Sequence, residues 1–76
     1  MKKFSVLIAG SHATSISLEE DFYQALTEIA KRKNVPLNAL ITEIDKTRKN
    51  ENLSSALRVY ILKDLQAQLI NLQSKL

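Results

Sequence analysis

Ser15 and Ser17 are the residues of this chain whose type and spacing best suit a chemical role. They lie at alternate positions in a short polar-apolar segment, with Ala13 in the same series. Alternate residues of a β-strand project from one face, so these three side chains would form a small face. Hydroxyl groups donate and accept hydrogen bonds, and they can therefore meet any base edge in the DNA major groove. The alternative is a solvated strand face that happens to be small and polar.

A helix start near Pro36 is the second candidate. The backbone amides of Leu37 and Asn38 would be free there, and the Asn38 side chain adds an amide, which together suit a phosphate. The cations near this break, Lys31, Arg32 and Lys33, could contact flanking phosphates. Lys2 and Lys3 on the leading segment could do the same. Simple helix capping and a solvated charge run are the alternatives.

Catalytic chemistry finds no support in the sequence. His12 is the only histidine, there is no cysteine, and no serine stands in a Gly-x-Ser-x-Gly elbow. One glycine cannot form a phosphate-binding glycine loop. The carboxylates of residues 19–21 suit a helix N-terminus better than acid–base work. We therefore expect no enzymatic activity, no cofactor and no metal.

The size and charge of the chain favour a partner subunit. Its 76 residues make one domain, which is marginally stable alone and lacks disulfides, so we expect a homodimer. The net charge of +3 permits phosphate binding but does not require it. The apolar run at residues 4–9 is too short for a secretory signal, and no stretch is long enough to span a membrane. A cytoplasmic location is expected.

The elements that must position these residues are a β segment and three helices. Hydrophobic spacing predicts one domain over residues 1–76, with a β segment at 4–18 and helices at 19–33, 36–48 and 53–75. The strand at 13–18 has no evident partner in its local sequence, so its backbone groups would pair with a second copy. Residues 4–9 either form a hairpin through Gly10-Ser11 or belong to one bulged strand.

Apolar stripes predict the core and the contact between copies. We expect the dimer interface to contain eight residues: Ile16, Leu18, Phe22, Leu26, Ile41, Ile44, Leu57 and Ile61. A leucine seam continues along the third helix with 3, 4, 3 spacing and could join dimers further: Leu62, Leu65, Leu69 and Leu72.

Five parts of the sequence carry a resemblance to a known family. They are Thr14-Ser15-Ile16-Ser17-Leu18-Glu19, Phe22, Leu26-x-x-Ile29-Ala30, Leu37-Asn38-Ala39-Leu40-Ile41-x-Glu43-Ile44-Asp45, and Asn52-Leu53-Ser54-Ser55-Ala56-Leu57-Arg58-Val59. The chain resembles a bacterial ribbon-helix-helix domain family of the Arc/MetJ-like superfamily. The resemblance extends over residues 4 to about 65, and residues 52–59 are its most specific part.

This resemblance implies an intertwined homodimer that binds DNA and regulates transcription. Residues 13–18 of the two chains would pair as a ribbon in the major groove, with Ala13, Ser15 and Ser17 towards the bases. Leu37 and Asn38 would contact phosphate. Two features depart from the family: Ala13 and Ser17 stand where many members carry Arg, Lys, Asn or Gln, and the junction before residue 13 is one residue longer.

A second function class stays open beside this one. The domain could be a protein-interaction or oligomerisation module that uses the leucine seam and binds no DNA. The antitoxin of a toxin–antitoxin pair is a third possibility, which the helical, apolar C-terminal segment disfavours.

Overall fold

The computed structural model describes residues 1–8, 12–49 and 52–74. In chain order the elements are strands β1 (Lys2–Ile8) and β2 (His12–Leu18) and helices α1 (Glu20–Lys33), α2 (Leu37–Thr47) and α3 (Leu53–Ser74). The prediction of a mainly helical chain with an N-terminal β-ribbon and a long third helix is confirmed. The strands begin at Lys2 rather than at residue 4, because the ladder continues until Lys2 faces Leu18.

The two strands form an antiparallel hairpin within one chain. Lys2 faces Leu18, Ser5 faces Ser15 and Ile8 faces His12. The expectation that the second strand has no local partner is therefore wrong, because the leading segment supplies one. Of the two interpretations of residues 4–9, the structure shows the hairpin. The predicted turn at Gly10-Ser11 lies outside the described residues.

The hairpin has one face towards the helices and one towards solvent. Facing residues of an antiparallel pair project on the same side, so the register assigns each residue to a face. The inner face carries Phe4, Val6, Ile16 and Leu18, of which the last three are buried. The opposite side, called the outer face below, consists of Lys3, Ser5, Leu7, Ala13, Ser15 and Ser17.

The helices begin and end where local chemistry favours it. Asn34 ends α1 in the left-handed conformation, with φ of 58°, and its N–H bonds back to the last turn, a common form of helix termination. Asn52 Oδ1 accepts a hydrogen bond from the Ser55 N–H at 3.2 Å, so it caps the start of α3. No side-chain cap is present at the start of α1.

The core is formed by one side of each element. Leu26, Ile29 and Ala30 of α1 pack with Leu40, Ile41 and Ile44 of α2, Ala56, Leu57 and Ile61 of α3, and the inner face of the hairpin. Five of these side chains are fully buried: Leu18, Leu26, Ile41, Leu57 and Ile61. Complete burial of such side chains stabilises a fold by roughly 1.5–3 kcal/mol each.

The core of the single chain contains most of the residues predicted for the dimer interface. Seven of those eight residues are buried within a single chain (Ile16, Leu18, Leu26, Ile41, Ile44, Leu57 and Ile61), and Phe22 is half-buried against them. Their burial therefore needs no second chain. A contact between copies would have to begin at a surface that the single chain leaves open.

Helix α3 changes character along its length. Its first turns are packed on the core, whereas Leu62, Leu65, Leu69 and Leu72 are more than half exposed. Its 22 residues correspond to a length of about 33 Å, so the helix projects beyond the core. None of the helices in the described part of the chain is both long enough and apolar enough to cross a membrane.

Candidate nucleic-acid interface

The outer face of the hairpin presents the predicted base-contacting residues. Ala13 and Ser15 are exposed and Ser17 is half-buried, on the side of the strand that the alternation predicts. Strand β1 places three further residues beside them, with Lys3 opposite Ser17, Ser5 opposite Ser15, and Leu7 opposite Ala13. Ser5 and Leu7 were not predicted on this face, because their place depends on the register of the hairpin.

The Asn38 side chain binds the backbone of β1. Its Oδ1 accepts a hydrogen bond from the Leu7 N–H, its Nδ2 donates one to the Leu7 carbonyl, and both are 2.8 Å long. Thr42 Oγ1 contacts the same carbonyl at 3.4 Å. This internal contact pairs an otherwise open strand edge, and the phosphate contact of Asn38 stays a prediction.

The contact between Asn38 and Leu7 shows in which direction each backbone group of the hairpin points. In an antiparallel ladder, backbone groups point alternately towards and away from the partner strand. Because the Leu7 groups point to Asn38, Leu7 and its facing residue Ala13 form a pair that is not hydrogen-bonded across the ladder. The backbone N–H and C=O groups of Ala13, Ser15 and Ser17 consequently point away from β1.

These groups form the free edge of β2. At one end of the edge, the Ser17 carbonyl accepts a hydrogen bond from Ser54 Oγ at 3.2 Å, which agrees with this direction. No contact within the described residues pairs the backbone groups of Ala13 and Ser15 on this side. Unpaired backbone groups along a strand edge are a template for a further strand.

A groove of about 620 Å³ runs along this edge. One wall is formed by residues 13–17 of β2. The other is formed by the end of α2 and the start of α3, with Asp45, Arg48, Asn52, Leu53 and Ser54. Arg48 Nε and Asp45 Oδ1 are 2.8 Å apart within that wall. The groove leaves space beside the strand edge on the side that faces away from β1.

The start of α2 lies beside the outer edge of β1, because Asn38 joins the two. The first backbone N–H groups of this helix, from Leu37 to Ala39, have no acceptor within the described part of the chain. Such groups and the helix dipole together attract anions. The predicted phosphate site at Leu37 and Asn38 is thus accessible through the backbone, although the Leu37 side chain is packed against the core.

The three predicted cations before α2 do not behave alike. Lys31 and Lys33 are exposed. Arg32 is instead held by α3, since its Nη2 lies 2.6 Å from Asp64 Oδ1. Asp64 is 32 residues away in sequence, so nothing in the sequence around Arg32 predicts this ion pair.

Glu19 follows directly after β2 and forms an ion pair with Arg58. Glu19 Oε1 lies 2.9 Å from Arg58 Nε, and the Arg58 guanidinium is also 5.9 Å from the centre of the Phe22 ring. A backbone hydrogen bond and then the Arg58 side chain hold the pKa of the Glu19 carboxyl below its ordinary value. Glu19 is thus ionised at neutral pH, and Arg58 balances its charge.

Comparison with known proteins gives one result for the family. A family model described as a ribbon-helix-helix domain matches residues 1–65. Neither the curated proteins nor the solved structures include a match to this chain. The family match ends inside α3, so the last turns of that helix lie beyond it.

Proposed function

Because this chain belongs to the ribbon-helix-helix domain family, whose members are generally DNA-binding transcription regulators, we propose that it is a sequence-specific DNA-binding homodimer that regulates transcription. Its location would be cytoplasmic. The observation that carries the proposal is the free edge of β2, which lies beside a small polar outer face.

The homodimer forms by pairing the free edges of two β2 strands. Ala13, Ser15 and Ser17 direct their backbone groups into the groove, and a two-fold axis at Ser15 would align Ser15 with its own copy and Ala13 with Ser17. That register gives three facing residue pairs, each exchanging two backbone hydrogen bonds. The Ser17 carbonyl can accept from both Ser54 and a second strand, because a carbonyl oxygen has two lone pairs.

The DNA contact follows from the same geometry. The paired β2 strands would enter the major groove with Ala13, Ser15 and Ser17 towards the base edges. Phosphates would be held by the free amides of Leu37 and Asn38 and by the exposed cations Lys31 and Lys33. We expect no phosphate contact from Arg32, because Asp64 already pairs with it.

Dimerisation can be tested with two matched proline variants. Proline removes one N–H and fills the space in front of it. Ser15→Pro places that change on the free edge of β2, whereas Ser5→Pro places it on the outer edge of β1, and neither removes a bond between β1 and β2. Sedimentation equilibrium should show a monomer for Ser15→Pro and a dimer for Ser5→Pro, with helical circular dichroism retained in both. A dimeric Ser15→Pro protein would reject pairing through β2.

Base contact can be tested on the dimer itself. Replacing Ser15 and Ser17 with alanine should reduce the preference for a specific duplex over random duplex and leave the dimer folded. Thr14→Ala is the control, because Thr14 lies in the same strand on the opposite face. Unchanged preference in the double variant would exclude these hydroxyls as base contacts.

A second candidate function is self-assembly through the exposed part of α3. Leu62, Leu65, Leu69 and Leu72 are between 53% and 59% exposed, and no charged residue occurs between Asp64 and the end of the helix at residue 74. A seam at coiled-coil spacing fits a helix from another copy, and the flanking glutamines introduce no like-charge repulsion.

Changing Leu69 and Leu72 to lysine should collapse any assembly larger than a dimer in light scattering. Replacing Gln66 and Gln73 with lysine adds the same charge beside the seam and should leave the assembly largely intact. If the two double variants behave alike, charge rather than the seam explains the result.

A further inference from the structure

The proposed dimer contains four neighbouring strands, because each β2 keeps its own β1. The order across the sheet would be β1 and β2 of one copy followed by β2 and β1 of the other. Adjacent strands are about 4.8 Å apart. The two β2 axes would then lie about 2.4 Å from the two-fold axis, and the two β1 axes about 7 Å from it.

The distance between the two β1 axes exceeds the width of the DNA major groove. The groove is about 12 Å wide, so each wall lies about 6 Å from its middle. The paired β2 strands fit between the walls, but the β1 strands reach the rims, where the phosphates are. In that arrangement the outer face of β1 would meet the sugar-phosphate backbone rather than the bases.

We propose that β1 is a phosphate-binding flank of the DNA-reading sheet, with Lys3 as its cationic contact. This inference rests on the proposed function. Lys3 is exposed and is the one charged residue among the six of the outer face. No aspartate or glutamate occurs in residues 1–18, so both strands are free of acidic groups that would repel the phosphates.

The neighbouring lysine has a different place. Strand alternation directs Lys2 to the opposite side of β1, and its Nζ lies 5.4 Å from the centre of the Tyr23 ring. Phe4, on that same side, packs edge-on against Tyr23 with ring centres 4.9 Å apart. Lys2 and Lys3 thus carry equal charge at adjacent positions, but Lys3 alone is on the side proposed to face DNA.

The test compares Lys3→Gln with Lys2→Gln in the full chain. Each phosphate contact contributes about −0.9 to the slope of log affinity against log salt concentration. Lys3→Gln removes two contacts per dimer and should make the slope shallower by about 1.8, which is a loss of about 60-fold at 0.1 M salt if binding is equal at 1 M. Because phosphates carry no sequence information, the loss should be equal on preferred and random duplexes. Lys2→Gln should keep most of the wild-type slope.

Three results would overturn the inference. If wild type binds DNA and Lys3→Gln keeps the same slope, β1 does not contact phosphate while the proposed function stands. Equal losses of DNA affinity in Lys2→Gln and Lys3→Gln would show a general effect of net charge and no phosphate contact at β1. Wild type that binds no duplex would reject the proposed function together with this inference.

Discussion

The contact between Asn38 and Leu7 gives a prediction that can be worked through from the structure. Asn38→Ala removes both 2.8 Å hydrogen bonds to the Leu7 backbone. A hydrogen bond contributes about 1 kcal/mol net, and Leu7 is 52% exposed, so water replaces part of the loss. We expect a decrease of about 1–2 kcal/mol in the free energy of unfolding. For a domain of this size, each kcal/mol lowers Tm by about 4–8 °C.

The assay is thermal unfolding followed by circular dichroism at a fixed protein concentration, because dimerisation makes Tm depend on concentration. Amide hydrogen exchange at Leu7 gives a local measure, and it should accelerate in Asn38→Ala. Asn71→Ala is the control, since Asn71 is exposed on the projecting part of α3. If both variants have the same Tm and Leu7 exchanges at the wild-type rate, Asn38 does not hold the edge of β1.

Three further predictions concern packing, charge and pH. Leu57→Ala, at a fully buried site, should cost about 2–5 kcal/mol in urea unfolding, whereas Leu65→Ala, at a half-exposed site, should stay within about 0.5 kcal/mol of wild type. In DNA titrations, Lys33→Gln should make the salt slope shallower by about 1.8 per dimer, and Arg32→Gln should not; equal slopes for the two would refute the distinction. Because the pKa of folded Glu19 lies below its ordinary value of 4.5, its ionised form stabilises the fold above that pH, and the contribution is lost as pH falls through the folded pKa. The Tm difference between wild type and Glu19→Gln should therefore be present at neutral pH and disappear in strong acid; a constant difference would exclude titration of Glu19 as its cause.

The helices follow from local features of the sequence. Apolar residues at helical spacing predict which sides of α1 and α2 are buried, and Leu26, Ile41 and Ile44 are buried as expected. The end of α1 at Asn34 agrees with the tolerance of asparagine for the left-handed conformation. These features involve residues within one or two turns of each other, so one sequence is sufficient to recognise them.

The pairing of the strands could not be obtained in the same way. An apolar segment such as residues 4–9 is compatible with a hairpin or with one long strand, and the choice depends on which arrangement packs better on the helices. The assignment of Val6 to the core and of Lys3, Ser5 and Leu7 to the outer face follows only from the register. Backbone pairing with β1 also removes the reason for expecting β2 to be unpartnered.

Two of the residues predicted to contact phosphate also bind residues that are distant in sequence. Asn38 is 31 residues from Leu7 in sequence, and Arg32 is 32 residues from Asp64. Asparagine and arginine side chains are equally suited to phosphate binding and to internal contacts. Only the folded arrangement shows which polar side chains are already occupied and which, like those of Lys31 and Lys33, remain exposed.

The most direct test of the central claim is DNA binding by the purified protein across a salt series. Fluorescence anisotropy would compare random duplex with duplex taken from upstream of the protein's own coding sequence. Lys31 and Lys33 in two copies imply four phosphate contacts, so we expect tighter binding to the upstream duplex and a log–log salt slope of about −3.6 or steeper. Absence of binding even at low salt would contradict the account and leave the exposed seam of α3 as the candidate interaction surface.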